Sequence, residues 1–140
     1  MQQPIFLLVS GDGPRRDALH HDLSRRYRAD YQISIASSAA SALTMLAVLA
    51  GAGAEVALVI ADEHLADMPA ADFLARMHGL HPGARRILLM DRGQWTGPHP
   101  AIAAMALGKI DYYLYVPWFP AGEEPSPAGV RVPRGLGQVP

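Results

Sequence analysis

Val56-Ala57-Leu58-Val59-Ile60-Ala61-Asp62 is the stretch that decides the fold. An unbroken apolar run of this length, rich in β-branched residues and ending on a carboxylate, is the pattern of a strand covered on both faces. Ile5-Phe6-Leu7-Leu8-Val9 repeats the pattern near the start of the chain, and Arg86-Ile87-Leu88-Leu89-Met90 repeats it downstream. Between them lie helical signals. Ser10-Gly11-Asp12-Gly13-Pro14 forms a turn in which Asp12 can cap a helix and Pro14 suits its first turn. Leu19, Leu23 and Tyr27 then recur at spacing four, which predicts an amphipathic helix over Arg15–Arg28. Tyr31–Ala36 alternates like a half-buried strand. Ser37 or Ser38 can cap a helix whose stripe is Leu43, Leu46, Ala47 and Ala50, stopped by Gly51. After Asp62 and a loop through Met68-Pro69, the residues Phe73, Leu74, Met77 and Leu80 make another helical face, closed by His81-Pro82-Gly83. Pro100–Leu107 predicts a short helix ending at Gly108, and Asp111–Val116 a fifth strand. Five strands alternating with four helices imply a parallel sheet with right-handed crossovers in a three-layer α/β sandwich.

Composition narrows the function. At 140 residues the chain has the length of one domain, and a 50% hydrophobic share predicts a packed core. Twelve Lys+Arg against thirteen Asp+Glu leave no basic excess to neutralise a nucleic-acid backbone, so no nucleic-acid partner is expected. The absence of cysteine excludes thiol chemistry, disulfides and Cys-ligated metals. No apolar stretch is long enough to span a membrane, and the first residues lack the pattern of a signal peptide, so a cytoplasmic location is expected. From Pro120 to Pro140 the character changes: nine of twenty-one residues are Pro or Gly, and the apolar ones follow no period. The chain is therefore divided into a domain at 1–119 and an irregular tail or linker at 120–140. No fifth helix is legible after the fifth strand, so the last helix is expected to be missing or replaced by this tail, which leaves an apolar patch for a partner.

In an open α/β sheet, sites form beyond the carboxyl ends of the strands, near the point where strand order reverses. The residues there are Ser10, Gly11 and Asp12, then Asp62, Glu63 and His64, then Met90 and Asp91, then Val116 and Pro117. This pattern, over Pro4 to Phe119, resembles the receiver domain of two-component response regulators. Its anchors are the acid after the third strand, the helix register from Asp62 to Phe73-Leu74, and a last strand running into a proline. The resemblance implies a flavodoxin-like fold with sheet order 2-1-3-4-5. It places Asp62 at the phospho-accepting position, vestigial or weak here, and Pro117 at the cis-proline position. It also marks losses. The metal-holding acidic pair falls on Ser10 and Gly11, with Asp12 one position late and Glu63 as a second remnant of an acidic pocket. The hydroxyl switch of the fourth strand falls on Met90, and the lysine of the fifth on Val116. Where a Met-Pro usually follows the acceptor, Leu65-Ala66 stands. More narrowly, Asp111-Tyr112-Tyr113-Leu114-Tyr115-Val116-Pro117-Trp118 with Glu123-Glu124 resembles receivers fused to the front of FAD-dependent, thioredoxin-reductase-like oxidoreductases.

Each loss has a physical consequence. Phosphoryl transfer to a carboxylate gathers negative charge, and Mg²⁺, a hard ion that needs several oxygen ligands, neutralises it. A Ser and a Gly in place of two carboxylates remove most of the attraction for that ion, an effect set by Coulomb energies of about 4 kcal/mol per close pair. No cofactor is expected beyond weak Mg²⁺ at most. Other readings of the same residues are weaker. Gly11-Asp12-Gly13 is not a dinucleotide loop, since the sixth position is Arg16 and the second strand ends on Ala36 rather than an acid. His20, His21, His64, His78, His81 and His99 read as solvated side chains, because no completing ligand set accompanies them. Tyr113, Tyr115 and Trp118 (with Tyr112 and Phe119) read either as edge packing or as a docking surface.

The expected function is that of a degenerate receiver, or pseudo-receiver, which signals by protein contact and is not an enzyme. Its expected partner is a protein: a histidine kinase, an output domain or a fused oxidoreductase, with a homodimer also open. Two alternatives stand beside it. One is a phospho-competent receiver that uses Asp62 with Asp12 and Glu63. The other is a regulatory front domain of an FAD-dependent oxidoreductase.

Overall fold

The structure is a computed structural model, and it describes residues 3–63, 65–91 and 99–116. Nine elements follow one another: β1 Ile5–Val9, α1 Gly13–Tyr27, β2 Gln32–Ala36, α2 Ala39–Gly51, β3 Val56–Asp62, α3 Ala70–Met77, β4 Arg85–Asp91, α4 Pro100–Ala106 and β5 Tyr112–Val116. The strands form one five-stranded sheet in the order β2-β1-β3-β4-β5, and every neighbouring pair is parallel. The flavodoxin-like layout expected from the sequence is the one observed. Whether a fifth helix follows β5 lies outside the described residues, as do Pro117, Trp118, Phe119 and the 120–140 tail.

Two-residue alternation divides the core. Leu7, Val9, Val59, Ala61, Leu88 and Met90 point to the face covered by α2, α3 and α4, where they meet Ala42, Leu46, Phe73, Leu74, Met77, Ala101 and Ala104. Phe6, Leu8, Leu58, Ile60, Ile87 and Leu89 point to the opposite face, against Leu19 and Leu23 of α1. Both faces are apolar, which is why these strands read as continuous hydrophobic runs.

The helix starts follow their caps. Asp12 caps α1, its side chain accepting from the Arg15 N–H, with Pro14 in the first turn. Ser38 caps α2 in a reciprocal capping box with Ser41. A second acceptor reinforces that end: Asp67, from the β3–α3 loop, takes the N–H groups of Ala39 at 3.1 Å and Ala40 at 2.8 Å. These backbone hydrogen bonds hold the Asp67 carboxyl below the ordinary aspartate range. A carboxyl depressed in the folded state contributes stability above its unfolded value, near pH 4, and loses it as pH falls through the folded value. Asp67→Asn should therefore flatten the acid side of the stability–pH curve, which a series of urea melts between about pH 2 and 6 would show.

Some expectations needed correction. Leu80 and Ala47 were placed on apolar helix faces, but both are exposed: α3 ends at Met77, before Leu80, and the buried stripe of α2 is Ala39, Ala42 and Leu46. The half-buried alternation expected over Tyr31–Ala36 is incomplete: Ile35 is 36% exposed, on a strand at the edge of the sheet. Element ends shift by one or two residues, as helix and strand termini generally do.

Candidate functional site

Carrying the strand alternation to the carboxyl edge of the sheet assembles the site. Residues Phe6 and Leu8 face α1, so Ser10 is the next position of β1 on that side. By the same step Asp62 follows Leu58 and Ile60 on β3, and Asp91 follows Ile87 and Leu89 on β4. The first turn of α1 starts directly above, and its cap delivers Arg15 among them.

Asp62 has no solvent-accessible surface, and neither does Ser10. The Ser10 hydroxyl donates to Asp62 Oδ2 at 2.9 Å and accepts from the Asp12 N–H at 3.3 Å. Arg15 Nε lies 3.1 Å from the same Oδ2, with the Arg15 side chain only 15% exposed. Its Nη1 reaches Asp91 Oδ1 at 2.6 Å. The fork is only partly matched. Among the described residues, Nη1 makes an aligned hydrogen bond, Nε faces Asp62 as a charge contact, and the buried Nη2 has no hydrogen-bond partner. One guanidinium thus sits between two carboxylates on neighbouring strands.

The surrounding polar groups tie the edge together. Glu63 Oε1 accepts from the Asp91 N–H at 2.6 Å, and the Glu63 N–H donates to the Leu89 carbonyl at 2.8 Å. Arg16 Nη1 donates to the Ser10 carbonyl at 3.0 Å. Asp12 is exposed and its Oδ1 is engaged by the Arg15 N–H at 3.1 Å. Of the two acidic remnants, then, one is a helix cap and the other a β3–β4 clasp. Gly11 is exposed, and Met90 is fully buried in the cluster on the α3 and α4 face. The β4 side chain that meets Asp62's partner is Asp91, one residue on. Val116 ends β5 beside Asp91 in the strand register. Among the described residues, no three His, Cys, Asp or Glu side chains converge as a metal-binding group.

Two histidines expected to be solvated are structural instead. His81 is buried, with Nε2 2.8 Å from the Leu46 carbonyl. That carbonyl can only accept, so Nε2 carries the proton. His99 caps α4: Nδ1 accepts from the Ala101 N–H at 3.1 Å, and Nε2 lies 2.5 Å from the Tyr115 hydroxyl. Tyr113 and Tyr115 are half-buried and pack edge to face, with ring centroids 5.7 Å apart. His64 and Trp118 lie outside the described residues.

The residue that sequence reasoning missed is Arg15. It stood in a helix otherwise described by its apolar stripe. The available signal was its place three residues after the Asp12 cap, in the one turn of α1 that faces the strand ends.

No protein-family model and no curated protein sequence matches this chain. Solved structures do. The signal receiver domain of an HD domain-containing protein from Pseudomonas fluorescens Pf-5 is 33% identical, over 84% of this chain and 86% of that one, with a TM-score of 0.63. A CheY-like response regulator receiver domain protein from Methanospirillum hungatei JF-1 shares the fold at 20% identity, covering 84% and 85% of the two chains, with a TM-score of 0.67. The chemotaxis protein CheY4 of Vibrio cholerae shares it at 18% identity over 84% and 89%, with a TM-score of 0.63. The sheet order, the carboxylate that ends β3 and the identity to a signal receiver agree, and the chain belongs to the receiver-domain family of response regulators.

Proposed function

We propose that this receiver serves two-component signalling mainly by protein contact, with Mg²⁺-dependent phosphorylation at Asp62 impaired. The carrying observation is the Arg15 guanidinium 3.1 Å from the buried Asp62 carboxylate. A divalent ion at that carboxylate needs an octahedral set of oxygens. The residues present fit it poorly. Gly11 offers no side chain, the Ser10 hydroxyl is committed to Asp62, and the Asp12 carboxylate caps α1. A fixed positive charge already beside Asp62 repels a dication and lowers what such an ion would gain. At the positions where receivers of this family follow a phosphoryl group, Met90 and Val116 supply no hydroxyl and no amine.

The partner on this reading is a protein, a histidine kinase or an output domain, and the site of action is the cytoplasm. That fits the finding that no helix among the described residues is long and apolar enough to cross a membrane. Incubation with acetyl phosphate and Mg²⁺, followed by intact-protein mass spectrometry, tests the reading. The expected spectrum shows no phosphoryl adduct. A stoichiometric adduct that disappears in Asp62→Asn contradicts it and favours the phospho-competent receiver.

A further inference from the structure

At one edge of the sheet, β2 pairs with β1 alone among the described residues. The Gln32 N–H donates to the Pro4 carbonyl, and the Ala36 carbonyl accepts from the Ser10 N–H. Strand alternation then turns the backbone polar groups of Gln32, Ser34 and Ala36 towards β1, and those of Ile33 and Ile35 towards the free edge. Natural sheet edges are blunted by charged side chains, proline or bulges. Gln32-Ile33-Ser34-Ile35-Ala36 has no charged residue and no proline, and its register against β1 is unbroken. Gln32 is exposed and Ile35 is 36% exposed, so the strand is open to solvent.

We propose that β2 is a self-pairing edge whose occupant is a second copy of this chain, laid antiparallel about a two-fold axis through Ser34. The edge is complementary to itself in charge. Ile33 and Ile35, two residues apart, present the outward N–H donors and carbonyl acceptors, and an axis at the residue between them sets each against the other. Ile33 of one copy then exchanges both N–H···O=C bonds with Ile35 of the other, and the reverse pair does the same. The side chains agree with this register. Ile33 packs against the cluster on the α1 face, and alternation puts Ile35 on that face too. An axis perpendicular to the sheet keeps that face on one side, so the exposed Ile35 is covered by Ile33 of the second copy. On the opposite face the half-buried Ser34 meets its own copy in the narrow, non-hydrogen-bonded pair, hydroxyl against hydroxyl. No charge lies within the strand, so self-pairing opposes no like charges. The pairing uses no residue of the Asp62 site, and it stands or falls apart from the phosphorylation reading.

Sedimentation velocity of the full chain over about 5–500 µM tests this, a range chosen because one short edge buries less than the ~1,200 Å² of a stable interface. The sedimentation coefficient of wild type should rise with concentration from monomer towards dimer. Ser34→Lys and Ser34→Asp each set two like charges against each other at the axis, and each should weaken association several-fold. An equimolar mixture of the two sets Lys against Asp and should recover the association of wild type. Ile35→Pro deletes an outward donor without touching the bonds to β1, and it should abolish the dimer while the circular dichroism spectrum stays that of wild type. Where that variant fails to fold, the two Ser34 variants and their mixture decide. A wild type that stays monomeric over the whole range overturns the proposal. So does a dimer that both Ser34 variants retain, or a mixture that associates no better than either variant alone.

Discussion

Arg15→Gln is expected to lower the unfolding free energy by about 3 kcal/mol, because it removes the guanidinium that lies 3.1 Å from the fully buried Asp62 carboxylate. The loss comes mainly from a buried carboxylate that is less well compensated, since the pair itself carries a large desolvation cost and its net contribution is smaller than its Coulomb energy. The diagnostic is therefore a rescue. Asp62→Asn in the Arg15→Gln background removes the buried negative charge while the Ser10 hydroxyl still finds an acceptor, and it should recover most of the stability. Urea unfolding of the two single variants and the double variant should give a coupling energy of roughly 1–3 kcal/mol. Additive losses would mean that Arg15 stabilises the protein by packing its stem rather than by pairing its charge.

The second large effect lies at the opposite end of β4. Arg86 is a buried cation at the start of that strand. Its Nε and Nη2 bind the two oxygens of Asp111 at 3.2 and 3.3 Å, and its Nη1 donates to the carbonyls of Gly108 and Lys109 at 2.9 and 3.0 Å. A single side chain thereby holds the α4–β5 connection against the sheet. Arg86→Met should cost about 3 kcal/mol, and Arg86→Lys should recover little, since a lysine ammonium cannot copy a planar fork that bonds a carboxylate and two carbonyls together. Burial pushes the Asp111 carboxyl up, but the hydrogen bonds and charge of Arg86 outweigh it and hold the group below its ordinary value. That contribution is present above about pH 4 and fades as pH falls through the lowered folded value, so wild type and Arg86→Met should converge in stability towards acid pH.

These two arginines also mark where the sequence was legible and where it was not. The strands, their parallel pairing and the position of Asp62 could be read because burial on both faces writes a continuous apolar run into the chain. Asp12, Pro14 and Ser38 signalled their helix starts through capping chemistry, which is local. Arg15 and Arg86 were not legible, because a charged residue beside an apolar run reads as surface until the fold shows what opposes it. Arg86 is paired with a carboxylate 25 positions away and Arg15 with one 76 positions away. His81 and His99 failed for the same reason: their partners, the Leu46 carbonyl and the Tyr115 hydroxyl, are set by tertiary packing. The candidate site was located from the sequence through the carboxyl ends of the strands. Its content was read there as a deficit of carboxylates, whereas the structure shows a positive charge in their midst. Asp91 was noted only as the residue after the fourth strand, and alternation along β4 is what turns it towards Asp62's partner.

The most direct measurement is a Mg²⁺ titration of the wild-type chain, with and without beryllofluoride, followed at the amides of Glu63 and Asp91. With Arg15 already seated between Asp62 and Asp91, the expected result is a flat response apart from the weak, non-saturating drift of added salt. Saturable shifts at those two amides that deepen with beryllofluoride would show that a dication displaces the guanidinium, contradicting the claim that this receiver carries its own cation.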